Sequence, residues 1–264
     1  MLNQVVKQGL AVSFVVALVA APAFAQVQAT APVQPDPSAQ VLPPAQRIID
    51  RHIEAVGGRD AIKSHSSVAA KGTISIPANG MTGTIEVFAA RPNKALARTT
   101  LVGIGEVREG FDGTVAWSIS PMTGPMLATG EELAQKALDA DFDGALGIAS
   151  KYESIKTLEK TTFEGRPVYR IALTRKIGGD DIEFYDVETG LKAGGIVQRK
   201  NPMGTISVTS AVSDYKKFGN LLQPTVMKQS TQGVNIITTF TSFEYDSVQP
   251  SMFELPAEIK ALVK

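Results

Sequence analysis

The sequence predicts a mainly β protein in which about eleven antiparallel strands, crossed by very few helices, curl into a barrel or half-barrel. Three observations carry this. From Ser67 onward apolar and polar residues alternate with a period of two, the intervening turns are short and glycine-bearing, and helical spacing returns only briefly. Eleven strands at ~4.8 Å spacing give a sheet roughly 50 Å wide, whereas one helix covers about 10 Å of width. Two or three short helices cannot cap such a face, so the sheet must curve upon itself.

The elements follow in order. Met1 to Ala25 holds Lys7, an apolar run from Leu10 to Ala20 and the small-x-small end Ala23-Phe24-Ala25, the pattern of a cleavable export signal. The run is far shorter than the ~20 apolar residues that span a bilayer, no lipid-accepting cysteine follows it, and no later segment approaches a span. The expected product is exported, to a periplasm where the cell has two membranes, with no transmembrane segment in the mature chain. Gln26 to Pro44 is rich in proline and reads as an extended tether. The remaining residues, 45 to 264, suffice for one domain that buries about 70% of its unfolded surface.

Ala45 to Val56 places Ile48, Ile49, His52, Ile53 and Val56 on one helical stripe, closed by Gly57-Gly58; a second short helix is predicted over Asp60 to Lys63. Ile74 with Ile76, and Ile85 with Val87, form the faces of a hairpin turned by Pro77 to Gly80. Ala95 to Val102, Glu106 to Phe111 and Thr114 to Ile119 continue the meander, with Asp112-Gly113 as a turn signal. After the loop Pro121 to Pro125, helices are predicted over Glu131 to Asp139 and around Ala145 to Tyr152. Strands then resume from Ile155 to Tyr245 through turns such as Glu164-Gly165-Arg166 and Phe218-Gly219-Asn220.

Composition excludes several functions. The chain has 26 basic and 26 acidic residues, aromatics are 6%, and no block of like charge suggests a nucleic-acid partner. The absence of cysteine removes disulfides, thiolate metal sites and a thiol nucleophile. No nucleophile elbow, zinc-protease helix, phosphate loop or dinucleotide fingerprint occurs, so no cofactor and no catalytic residue is expected. Asp139-x-Asp141-x-Asp143-Gly144 has the first half of a calcium loop, but its twelfth position is Ser150; a solvated acidic turn is the preferred reading, with no metal bound. His52 and His65 lack the convergent groups of a site and are read as structural, and Asp180-Asp181 as a turn.

An opening helix ending in Gly57-Gly58, then Gly110-Phe111-Asp112-Gly113, Ala116-Trp117, Pro121-Met122-Thr123-Gly124-Pro125 and a closing Phe253-Glu254-Leu255-Pro256, resembles the outer-membrane lipoprotein-sorting protein superfamily. The resemblance runs over residues 45 to 264 and rests on structural, not catalytic, motifs. It implies an unclosed antiparallel barrel of about eleven strands, with helices on the concave side, that holds acyl chains or other lipophilic cargo. The long proline-rich tether and the Pro121 to Pro125 loop depart from dedicated lipoprotein carriers, which leaves the cargo open.

From strand period, an apolar and incompletely filled interior would be lined by Ile74, Ile76, Ile85, Val87, Val115, Trp117, Ile119, Ile206, Val208, Ile236 and Phe240, with Met122, Met126 and Leu127 as an adaptable gate. A fully packed core is the alternative. The expected function is a non-enzymatic carrier or binding protein for a lipophilic small molecule or acyl chain. The rivals are an interaction module that binds an envelope protein with a filled barrel, and a hydrolase with an unfamiliar site.

Overall fold

The computed structural model describes residues 41–201 and 204–263. The segment expected to be an export signal, residues 1–25, and most of the expected tether, residues 26–44, lie outside the described residues.

Among the described residues thirteen strands form one antiparallel sheet: β1 (Ser67–Ile76), β2 (Met81–Ala90), β3 (Lys94–Leu101), β4 (Gly105–Phe111), β5 (Ala116–Ser120), β6 (Gly124–Leu127), β7 (Tyr152–Phe163), β8 (Arg166–Arg175), β9 (Asp181–Asp186), β10 (Lys192–Asn201), β11 (Gly204–Phe218), β12 (Leu221–Thr231) and β13 (Val234–Tyr245). The spatial order is β6-β5-β4-β3-β2-β1-β13-β12-β11-β10-β9-β8-β7. Strands from the two ends of the domain therefore pair at the centre, and the middle of the chain supplies both edges. The barrel is unclosed between β6 and β7.

The count exceeds the expected eleven, and one strand was not foreseen. Gly124 and Pro125 read as loop, yet Gly124–Leu127 pairs with β5 at the edge of the sheet, where a proline's missing N–H costs no ladder bond.

Helix α1 (Ala45–Ala55) forms as its stripe predicts, burying Ala45, Ile48, Ile49, His52 and Ile53. Gly57 stops it at φ +132°, and a β-carbon there would lie 2.6 Å from the Asn220 carbonyl oxygen, so only glycine fits. Helix α2 (Arg59–Lys63) follows. Helices α3 (Gly130–Asp139) and α4 (Ile148–Lys151) lie in the connection that carries the chain from edge strand β6 to the opposite edge strand β7. The loop between them docks on the β2–β3 turn: the Phe142 N–H donates to Pro92 O at 2.8 Å, and Arg91 pairs with Asp143 while its guanidinium lies 5.2 Å from the Phe142 ring centre.

Both faces of the sheet are covered. On the concave face, Val68, Ala70, Ile85, Val87, Phe111, Phe240 and Phe243 pack against Leu133 and Ala137 of α3 and against Phe142. Beside this, α1 packs on Ile171, Leu173, Tyr185 and Leu221. The alternate residues Ala69, Phe88, Leu96 and Trp117 point to the convex face, where Phe253 and Ile259 of the C-terminal segment, which includes α5 (Ala257–Lys260), cover them.

Candidate functional site

The concave face is divided. Its β1–β4 and β12–β13 half is mostly apolar, with Thr99, Thr238 and Gln229 buried among the apolar side chains, while its β8–β10 half carries charge. At the junction the end of α3 meets the sheet in a square of ions. Arg175 Nη2 donates to Asp139 Oδ1 at 2.9 Å and Arg175 Nη1 to Asp181 Oδ2 at 3.1 Å; Arg199 Nε donates to Asp139 Oδ2 at 3.1 Å and Arg199 Nη1 to Asp181 Oδ1 at 2.8 Å. Asp139 and Arg199 are each 1% exposed. Tyr152 adds its hydroxyl to Asp181 Oδ2 at 3.1 Å. Two guanidinium groups and two carboxylates cancel in charge, and each guanidinium bridges both carboxylates with one bond to each, so that every carboxylate oxygen of the square is paired and the burial of charge is tolerable.

A second pair lies alongside, where Lys192 Nζ donates to Glu183 Oε1 at 2.6 Å and the Tyr185 hydroxyl donates to Glu183 Oε2 at 2.5 Å. Burial alone would raise the Asp139 carboxyl, but the surrounding positive charges, Arg199 and Arg175 among them, hold it well below the usual carboxylate range. Burial, reinforced by the negative charge of Asp181 and Glu183, pushes the Tyr152 phenol far up. The ammonium of Lys151 is lowered by burial.

Beside this charged half, two small cavities lie between α1 and the α3–α4 loop. The larger, about 40 Å³, is lined by Val56, Phe142, Tyr215, Leu221 and Tyr245; the smaller, about 20 Å³, by Ile49, Ile148, Lys151, Tyr152 and Glu183, and the two share His52, Ile53 and Ala145. A water needs about 10–15 Å³ by this measure, so the larger cavity holds two or three, against the several hundred Å³ of a ligand pocket. The incompletely filled hollow expected from the sequence is, in this conformation, occupied by the protein's own side chains, Phe142 foremost.

Of the residues proposed as lining, Ile74, Ile76, Ile85, Val87, Ile206, Val208, Ile236 and Phe240 are buried at positions of the helix-bearing face. Ile74, Ile76 and Ile236 form a separate cluster with Leu101 at one end of it. Val115, Trp117, Ile119 and Leu127 require correction: they pack on the convex side with Phe253 and Ile259, so they do not line the interior. The indole lies flat over Gly110, where a β-carbon would come within 2.6 Å of it, which explains the glycine opposite the tryptophan. Met122 and Met126 are also misplaced as a gate. They are exposed on the β5–β6 edge hairpin, Met122 at 74%.

The acidic stretch after α3 is neither a calcium loop nor a solvated turn. Asp139 turns inward to the arginines, Asp143 pairs with Arg91, and Asp141 Oδ1 accepts the Asp143 N–H at 3.0 Å, while the Lys151 ammonium feels both Asp139 and Asp141. Asp181, read as a turn residue, is instead a corner of the ion square.

Both histidines are structural in their geometry. His52 is held neutral, its pKa lowered to about 3 by burial and by the charge of Lys192, and its Nδ1 accepts the Lys192 N–H at 3.2 Å. His65 stacks on Tyr245 at 4.2 Å between ring centres and is bonded at 2.7 Å on each nitrogen, to Asp246 and to Asn220. The ring nitrogens of His65 are taken by Asp246 and Asn220, not by a hydroxyl. The charged square of Asp139, Arg175, Asp181 and Arg199 was missed from the sequence, because its members come together only when β8, β9 and β10 pair.

This architecture, an open antiparallel barrel with helices on its concave face, defines a class. No family profile matches the sequence, and no curated relative matches it. Solved structures share the fold. A LolA superfamily protein from Nitrosomonas europaea superposes with TM-score 0.54 at 12% identity, over 81% of this chain and 99% of that one. A DUF1329 family protein from Desulfovibrio piger gives 0.53 at 11%, over 80% and 97%. A putative outer membrane lipoprotein-sorting protein domain from Vibrio parahaemolyticus gives 0.50 at 10%, over 80% and 97%. This chain thus shares its fold with these three structures.

Proposed function

We propose that this chain is an exported, periplasmic, non-enzymatic protein that binds a lipophilic ligand, a lipid or the acyl chains of a lipoprotein, reversibly against the concave face. The observation that carries the reading is what covers that face. The apolar half of the sheet is closed by the connection from β6 to β7, with Leu133, Ala137 and Phe142 packed on Val87, Phe111 and Phe240. No strand closes it. A ligand that replaced Phe142 and its neighbours would exchange one apolar contact for another and leave the sheet intact. Each buried methylene contributes ~0.8 kcal/mol, so a chain leaves a membrane only if most of it is enclosed.

The fold likeness supports this reading: two of the similar structures are named for lipoprotein sorting or its LolA superfamily. Among the described residues no helix is long and apolar enough to cross a membrane. The test is extraction of the purified protein followed by mass spectrometry. Stoichiometric lipid supports the proposal; lipid-free protein that also fails to take up added lipid refutes it.

A second reading is favoured by the small size of the interior cavities. As an interaction module, the chain would keep its barrel filled and bind an envelope protein through its edges. Lipid-free protein that captures a defined partner would favour it.

A further inference from the structure

Three buried side chains on the concave face break the rule that interior polar atoms are paired. Thr99 Oγ1, Thr238 Oγ1 and both amide atoms of Gln229 have no hydrogen-bond partner. The residues are 1%, 0% and 3% exposed. A buried polar group left unpaired keeps its full desolvation cost, and Gln229 alone carries two such atoms. A chain that bound only hydrocarbon would gain by replacing them with Val and Met.

Their positions are related. Gln229 on β12 stands opposite Ile236 of β13 and Ser210 of β11, and Thr238 stands opposite Met227 and Ile74. Gln229 and Thr238 are therefore diagonal neighbours on one face, about 7–8 Å apart at the backbone and within reach of a long side chain. Thr99 is on the same face of β3, opposite Ile85 and Val107. The neighbours Ile74, Ile236, Met227 and Ile85 are buried and apolar. The nearest charges along the row from Gln229 belong to the Glu183–Lys192 pair, which is already neutralised.

We infer that Gln229 and Thr238, with Thr99 farther along the sheet, form an internal hydrogen-bonding site for a neutral oxygen-bearing group, a hydroxyl or ester, carried on the lipophilic ligand. The inference rests on the proposed lipid-binding reading and deepens it. An amide donates and accepts, and so does a hydroxyl, so the three side chains suit a group that is uncharged and has oxygen to offer. A carboxylate is disfavoured because the cation nearest along the row among the described residues, Lys192, is already paired with Glu183. The remaining unpaired buried atom, Arg170 Nε, belongs to a guanidinium that already bonds Glu159 and takes no part.

The test uses protein purified from the full sequence and stripped of lipid, titrated with dodecan-1-ol, methyl dodecanoate and dodecane by displacement of an apolar fluorophore. The wild type is expected to bind the alcohol and ester about tenfold more tightly than the alkane, the worth of one or two net hydrogen bonds. The near-isosteric Gln229→Met and Thr238→Val variants should bring the three probes to within about twofold of one another and raise the thermal midpoint of the empty protein. Equal affinity of the wild type for all three probes overturns this inference and leaves lipid binding standing. Lowered midpoints in both variants also overturn it, because they mean that the polar atoms are satisfied by internal water. Failure of every probe to displace the fluorophore overturns both this inference and the proposed function.

Discussion

Replacing Asp139 by Asn removes one negative corner of the buried square while keeping its volume. In the wild type the two oxygens of Asp139 accept from Arg175 at 2.9 Å and from Arg199 at 3.1 Å, with almost no exposure of any of the three. The variant leaves two guanidinium groups facing the single carboxylate of Asp181, an uncompensated buried positive charge. Breaking a buried pair in this way costs about 3–5 kcal/mol. For a domain of this size each kcal/mol lowers the thermal midpoint by about 2–4 °C, so a fall of about 6–20 °C is expected by circular dichroism. Asp50→Asn, which breaks the surface pair with Arg59 at 2.6 Å, is the control and should cost less than about 1 kcal/mol, a fall of less than about 4 °C. The double variant Asp139→Leu/Arg199→Met removes one charge of each sign and should be less damaging than Asp139→Asn alone. A midpoint for Asp139→Asn within error of the control, or a double variant worse than the single, would refute the argument that charge balance holds α3 to the sheet.

The pH dependence follows from two groups. His52 has a folded pKa of about 3 against 6.5 unfolded, so between those values the unfolded chain binds the proton that the native one refuses; stability therefore falls as pH drops through this window, and His52→Gln should flatten the urea midpoint from pH 6.5 to 4. Asp139, held below its unfolded value, contributes stability above about pH 4 that is lost only at lower pH, so acid unfolding of the wild type should be steeper than that of Asp139→Asn. Asp246, its pKa lowered to about 2 by bonds from His65 and from Ser66, caps the start of β1; Asp246→Ala should cost about 1–2 kcal/mol in urea denaturation, part of it because Asp246 sits at φ +59°, a region aspartate tolerates better than alanine. Trp117 is 4% exposed beneath Phe253 and Ile259, so deleting residues 250–264 should shift the emission of this lone indole to the red, whereas the lipid probes should leave it unchanged.

The elements that local pattern governs were legible. The α1 stripe, the Gly57 stop and the hairpin over Pro77 to Gly80 follow from period and turn chemistry, and all appear in place. The face of Trp117 was not legible, because alternation assigns a side chain to one of two faces without saying which is buried. Here both are: small Ala116 points to the concave core and large Trp117 to the convex one, a pattern that size alone reads backwards. The same ambiguity holds for β9, whose first residue, Asp181, was read as part of a turn. Ile182 and Phe184 pack outward with Phe163 and Val168, and it is Asp181 and Glu183 that turn inward. No local signal marks that choice, since the partners of Asp181 lie at 175 and 199 and meet it only when β8, β9 and β10 pair.

The topology explains why the charge sits where it does. Because β1 and β13 pair at the centre of the sheet, the chain's midpoint must travel from one edge to the other, and the shortest route lies across the open mouth. A covering segment tied only by apolar contacts could slide along the concave face, since Leu133, Ala137 and Phe142 would find apolar neighbours in several registers. The ion square removes that freedom: Asp139 is satisfied only where Arg175 and Arg199 converge, and Lys136, 3.6 Å from Glu109 of β4, fixes the same helix to the opposite wing. Two well-packed leucines would stabilise the site as much or more. What the arginines and aspartates add is a single position for α3, and with it one defined boundary between the apolar half of the face and the charged half.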